Sequence, residues 1–97
     1  MENETAYLLF CKPEVVVFGY CSPEEIEKKS PKLKRARMLL YWSKETRGAF
    51  GAAKNGPAKG SRISPSVPWF KTKTVVEGFI PCTEKAIKVF ESGLWTE

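Results

Sequence analysis

The chain has 97 residues, 16 Lys and Arg against 11 acidic residues, a net charge of +5 and an apolar content of 42%. That length leaves room for one domain, 1–97, around one core, and no apolar run approaches the roughly 20 residues of a membrane-spanning helix. There is no His, no Asp and no Gln, and every acid is a Glu. Ser-His-Asp and Cys-His catalysis within one chain is thereby excluded, as are zinc sites built on His. The expectation is a protein that is not an enzyme, with no catalytic residues, no metal ligands and no cofactor.

The opening Met1-Glu2-Asn3-Glu4 is acidic and lacks the apolar stretch of a secretory signal. Three cysteines, Cys11, Cys21 and Cys82, are odd in number and not spaced as a metal knuckle, so they read as reduced thiols packed as small hydrophobes. Both features point to the cytoplasm. Ala6–Cys11 is wholly apolar and predicts a short strand. Lys12-Pro13 reads as a turn and Glu14–Cys21, rich in Val and aromatics, as a second strand completing a hairpin. Gly19 inside it signals a bulge or a close backbone approach. Ser22-Pro23-Glu24-Glu25 is a capping box with Pro at the first helical position, opening a short helix to about Lys29 that Pro31 stops.

Leu33–Trp42 predicts a third strand. Strict alternation would put Lys34, Ala36, Met38, Leu40 and Trp42 on one face, and Leu33, Arg35, Arg37, Leu39 and Tyr41 on the other. Two guanidinium groups beside Tyr41 suit an interface or a ligand wall. Ser43 is a candidate N-cap for a helix over about Lys44–Lys54. Its glycines cost roughly 1 kcal/mol each against alanine. Gly48, Gly51 and Ala52 share one face, so close approach to a sheet, a partner or a ligand is the expected reason. Asn55-Gly56-Pro57 ends that helix. Pro57–Pro68, with four Pro or Gly and three Ser in twelve residues, reads as a loop. A last strand is centred on Val75–Ile80. Thr83 caps a final helix over about Glu84–Ser92, with Ala86, Ile87, Phe90 and Leu94 as its apolar stripe, Cys82 and Ile87 as a staple, and Gly93 as its C-cap residue. The sum is an α+β domain: a small antiparallel β-sheet of about four strands packed with two to three short helices.

Charge is sorted along the chain. Residues 1–27 hold six Glu and one Lys, residues 28–73 thirteen Lys or Arg and one Glu, and residues 74–97 four Glu and two Lys. Folded as one surface, the middle segment makes a basic face. Within it, Arg47–Ser64 joins a helix N-terminus, two Arg and the loop Lys59-Gly60-Ser61-Arg62-Ile63-Ser64. Gly60 allows backbone N–H groups to face an anion, Ser61 and Ser64 offer hydroxyls, and Arg47 and Arg62 can fork onto phosphate oxygens. The order Lys-Gly-Ser, with the helix before the loop, is not a Walker A loop. Tyr41 and Trp69 stand beside these cations as stacking candidates, and Arg37, from the same or a neighbouring subunit, adds charge. The expected ligand-binding set is therefore Arg37, Tyr41, Arg47, Gly60, Ser61, Arg62, Ser64 and Trp69. The bland alternative is an ordered loop whose Ser residues cap turns and whose Arg residues pair with Glu.

Arg35-Ala36-Arg37-Met38, Tyr41-Trp42-Ser43, Thr46-Arg47-Gly48, Gly56-Pro57, Gly60-Ser61-Arg62-Ile63-Ser64-Pro65, Val67-Pro68, Pro81-Cys82-Thr83-Glu84 and Trp95 together resemble an uncharacterised family of small phage and prophage proteins. The resemblance implies a viral setting, the cytoplasm of an infected host cell, and a role among small non-catalytic inhibitors of host defence. Some of these are sponges that bind nucleotide signals in homo-oligomers. The reading that follows is a phage-encoded binding protein that sequesters a phosphate-bearing nucleotide signal. Its partners would be a nucleotide-derived small molecule and further copies of the chain, with no membrane. The alternatives are a basic nucleic-acid-binding protein and an inhibitor docking on an acidic host protein.

Overall fold

The computed structural model describes residues 4–11, 15–71 and 76–92. The elements in chain order are β1 (Thr5–Cys11), β2 (Val15–Cys21), α1 (Pro23–Ile26), β3 (Lys32–Tyr41), a 3-10 turn (Lys44–Thr46), α2 (Gly48–Asn55), β4 (Arg62–Ile63), β5 (Val67–Lys71), β6 (Val76–Pro81) and α3 (Glu84–Glu91). The α+β class holds, but the antiparallel sheet has six strands rather than about four, in the order β4-β3-β2-β1-β6 with β5 also on β3. The expected 57–68 loop is the source of the difference. Ile63 pairs with Leu39 and Arg62 with Tyr41, while Lys71, Phe70, Trp69 and Val67 pair with Lys32, Leu33, Lys34 and Ala36. β4 and β5 are thus two halves of one course along the outer edge of β3, parted at Ser64–Ser66. Prolines 65 and 68 are tolerated because an edge strand leaves half its N–H groups unneeded.

The hairpin and the caps form as local chemistry dictates. Cys11 faces Val15 and Thr5 faces Cys21 across the β1–β2 ladder. Ser22 accepts from the Glu25 N–H at 3.1 Å with Pro23 inside the helix start, though α1 ends at Ile26, short of Lys29. Thr83 accepts from the Ala86 N–H at 3.2 Å to open α3. The Lys12-Pro13 turn, Glu14, Val75, Gly93 and Leu94 lie outside the described residues.

Two expectations fail for a backbone reason. The 44–54 helix is broken: Arg47 (φ 66) and Gly48 (φ +75) are both left-handed, separating the 3-10 turn from α2. A Cβ on Gly48 would meet open space, so conformation rather than packing explains that glycine. A Cβ on Gly51 would lie 1.8 Å from the Thr46 carbonyl oxygen, so close approach does explain the second one, and its neighbour is the preceding turn. The alternation of β3 is also broken. Phe18 faces Arg37 and Tyr20 faces Lys34, so β3 spends one residue more than β2 across Gly19, with Arg35 at φ 49. That bulge puts Leu33 and Ala36 on one face of the sheet and Leu39 on the other.

Both faces are buried. On one, α2 and α3 lay Ala52, Ala53 and Phe90 over Ala6, Leu8, Val16, Phe18, Leu39 and Ile63, with Phe90 stacked on Phe18 at 4.3 Å. The other carries Leu9, Val17, Cys21 and Leu33, with Ile26 of the single-turn α1 and with Phe70, Val76 and Phe79 at the margins. Lys71 and Val76 stand at opposite edges yet are joined by four residues, a span of at most about 18 Å. Their registers, at the Lys32 and Cys11 levels, would put them roughly 28 Å apart in a flat five-column sheet. The sheet is therefore twisted and bent away from flatness. Among the described residues no helix is long and apolar enough to cross a membrane.

Candidate functional site

The basic segment forms the outer edge of this curled sheet, along β3, β4 and β5. Four of the eight expected ligand residues meet on the β3–β4 ladder. Tyr41 and Arg62 are register partners. Ser64 donates its N–H to the Met38 carbonyl at 2.9 Å and accepts the Met38 N–H on Oγ at 2.7 Å. Arg37 Nη1 donates to the Ser64 carbonyl at 3.2 Å. The Ser64 hydroxyl is therefore part of the ladder and fixes the backbone against which Arg37 lies.

Ser61 has a different place from the one its sequence position suggests. It is 4% exposed; its Oγ accepts the Ser43 N–H at 3.1 Å and lies 3.1 Å from Thr46 Oγ1, which in turn accepts the Ala58 N–H at 2.9 Å. Three hydroxyls, Ser43, Thr46 and Ser61, thus tie the loop after α2 to the turn before it. A hydroxyl so engaged holds the loop in place and does not face a guest. Gly60 (φ +93) makes the tight turn that brings Ser61 back, and a Cβ there would lie 3.4 Å from the Ser43 side chain. Arg47 is exposed at the left-handed junction before α2, outside the ladder. Trp69 lies at the far end of β3, opposite Lys34, with Lys32 Nζ 4.9 Å from its ring centre.

Two hollows open on the helix-bearing face. A cleft of about 520 Å³ is lined by Phe10, Val16, Leu39, Leu40, Tyr41 and Trp42 among others, with Glu77 contributing a carboxylate. Its volume lies within the roughly 300–1,000 Å³ of sites that enclose a small ligand. Tyr41 and Leu40 are about half exposed, at 56% and 49%, so an aromatic wall is presented next to Arg62. A smaller hollow of about 260 Å³ is lined by Phe18, Arg35, Arg37, Ser66 and Glu91. Sequence reasoning missed Ser66, and it read Arg35 as part of a possible ligand wall without including it in the expected ligand set. The bulge turns Arg35 over the Tyr20 ring at 4.1 Å, and Ser66, exposed at the break between β4 and β5, lines the rim of the hollow.

The ionisable groups around this edge are held in fixed states. Lys34 Nζ sits 3.0 Å and Arg35 3.4 Å from the Glu4 carboxylate, which lies below the usual carboxylate range, mainly through the Lys34 hydrogen bond. Tyr20 donates its hydroxyl hydrogen to Glu91; burial first, then that acceptor, raise its pKa well above the tyrosine norm. Burial pushes the Cys82 thiol up to about 12 and, with Glu25 and Glu4 nearby, the Cys21 thiol up to about 11. Both stay protonated and poorly nucleophilic.

The family model described as a domain of unknown function (DUF6948) matches residues 5–90. The chain belongs to that family. No curated protein and no solved structure matches it.

Proposed function

We propose that this member of the DUF6948 family is a non-catalytic binding protein that holds a phosphate-bearing nucleotide along its β3–β4 edge. In the phage setting implied by the sequence resemblance, it would sequester a nucleotide signal of host defence, in the host cytoplasm and as a homo-oligomer. The observation that carries the reading is the edge itself: Tyr41, a wall of an aromatic cleft of about 520 Å³, is the register partner of Arg62, and Arg37 of the same strand donates to the Ser64 carbonyl just beyond β4. Tyr41 would stack on a base, Arg62 and Arg37 would meet phosphate oxygens, and Arg47 would add charge from the adjoining loop. Gly60, Ser61 and Ser64 would hold the backbone that presents them. Affinity would come from charge-assisted hydrogen bonds, roughly 1.5–3 kcal/mol each.

The test is to purify the protein, incubate it with a panel of cyclic and ADP-ribose-type nucleotides, denature it and identify what the supernatant releases by mass spectrometry. Native protein should return a retained nucleotide and Arg62→Ala should lose it; an empty supernatant from native protein would count against the reading. One observation favours a second reading. Tyr41 and Trp69 lie seven residues apart along β3 in register, on the order of 20 Å, too far for one nucleotide but within reach of a single strand. That reading predicts oligonucleotide binding whose constant falls steeply with salt, because counterion release scales with phosphate contacts.

A further inference from the structure

We infer that the hollow at the seam between β4 and β5 is a phosphoryl subsite, formed by the guanidinium groups of Arg35 and Arg37 with the Ser66 hydroxyl. The inference rests on the reading that the protein binds a phosphate-bearing ligand, and it assigns that ligand's charged group a place. Four observations converge. The hollow brings two cations of one strand together with a hydroxyl and a single carboxylate, Glu91. That carboxylate is already turned to the Tyr20 hydroxyl. The hollow measures about 260 Å³, below the roughly 300–1,000 Å³ of pockets that take a whole small ligand, which suits one charged group with the rest of the molecule outside. Arg37 is steadied by its bond to the Ser64 carbonyl at 3.2 Å.

The fourth observation is the backbone of Arg35. At φ 49 it occupies the left-handed position of a bulge, where glycine is the unstrained choice. An arginine held there is a local conflict of the kind that gathers at binding sites. Its side chain is pre-positioned: the guanidinium lies over Tyr20 at 4.1 Å and one nitrogen reaches Glu4 at 3.4 Å, on a group with five N–H donors. Arg35 and Arg37 therefore reach one hollow from the same paired strand, each already steadied by a neighbour.

Isothermal titration with inorganic pyrophosphate, against sodium chloride of equal ionic strength, tests the assignment. Native protein should bind pyrophosphate saturably, and chloride should not reproduce the heat. Arg37→Met, which keeps an aliphatic stem, and Arg35→Gly, which removes the guanidinium and the backbone strain together, should each weaken binding about tenfold or more. Lys85→Met, an equal loss of charge on the exposed side of α3, should change it less than about twofold. Circular dichroism of each variant establishes that it is folded. Absence of saturable binding by native protein, or equal binding by all three variants, overturns the subsite. If the mass-spectrometric assay still shows a retained nucleotide that Arg35→Gly and Arg37→Met hold as well as native protein does, the subsite fails while the broader reading stands. If pyrophosphate binds as expected and the nucleotide panel does not, the subsite stands and the nucleotide reading fails.

Discussion

Replacing Ser61 by Ala separates two roles that the same residue could have. If Ser61 were a ligand donor, its loss would weaken binding and leave the fold intact. The structure places its Oγ as acceptor of the Ser43 N–H at 3.1 Å and as partner of Thr46 Oγ1 at 3.1 Å, at 4% exposure. Removing it leaves a buried N–H without its acceptor, a penalty of about 1–3 kcal/mol. For a domain of this size each kcal/mol shifts the melting temperature by roughly 4–8 °C, so Ser61→Ala should melt about 5–20 °C lower. Thr46→Ala should have a similar effect, since Thr46 also accepts the Ala58 N–H, and the double variant should cost less than the sum because the two share one network. Urea denaturation followed by circular dichroism measures all three. A Ser61→Ala midpoint equal to that of native protein, with nucleotide or pyrophosphate binding lost, would refute the structural role and restore Ser61 to the ligand set.

Other consequences are equally direct. Gly51→Ala forces a Cβ to 1.8 Å from the Thr46 carbonyl oxygen, whereas Gly48→Ala meets only its left-handed backbone; the first should cost on the order of 3 kcal/mol or more and the second about 1–2 kcal/mol, and the reverse order of urea midpoints would contradict the broken-helix geometry. Phe90→Ala empties a fully buried site stacked on Phe18, at a cost of about 3–5 kcal/mol, a large part of the 5–15 kcal/mol typical of a domain; a melting temperature unchanged by it would refute the core assignment. The Glu25 carboxylate is held below its ordinary range by the Lys32 N–H at 2.9 Å and then by Lys28 at 2.9 Å. A depressed carboxyl contributes stability above its unfolded pKa and loses it as pH falls through the folded one, so Glu25→Gln should shrink the loss of urea stability between about pH 7 and about pH 3; an unaltered acid limb would show that Glu25 does not contribute.

What the sequence revealed was what local chemistry controls. Ser22-Pro23 and Thr83 announce their helices because a cap and its N–H groups lie within three residues. The β1–β2 hairpin is legible because its strands are apolar and adjacent. The rest depends on partners distant in the chain. Residues 62–63 and 67–68 fall in the expected 57–68 loop, with its Pro65 and Pro68, and become strand only against the edge of β3. Gly19 does signal the irregularity between β2 and β3, and Gly48 stands at the broken helix, but the residues that take the unusual backbone beside them, Arg35 and Arg47, are not glycines, so the shifted faces of β3 and the helix break are invisible to periodicity. The same holds at the candidate site. Arg37, Tyr41 and Arg62 are brought to one ladder, whereas Ser61 is drawn into a hydroxyl cluster with residues fifteen and eighteen positions away.

The four-residue link from Lys71 to Val76 has a mechanical consequence. A connection of four residues limits how far apart the two margins of the sheet can stand. Lengthening it by a handful of Gly-Ser units would slacken that constraint while leaving every strand pairing available. Solvent would then reach Leu9, Val17 and Leu33 from the concave side, and their backbone amides would exchange with deuterium sooner than those beneath α2 and α3.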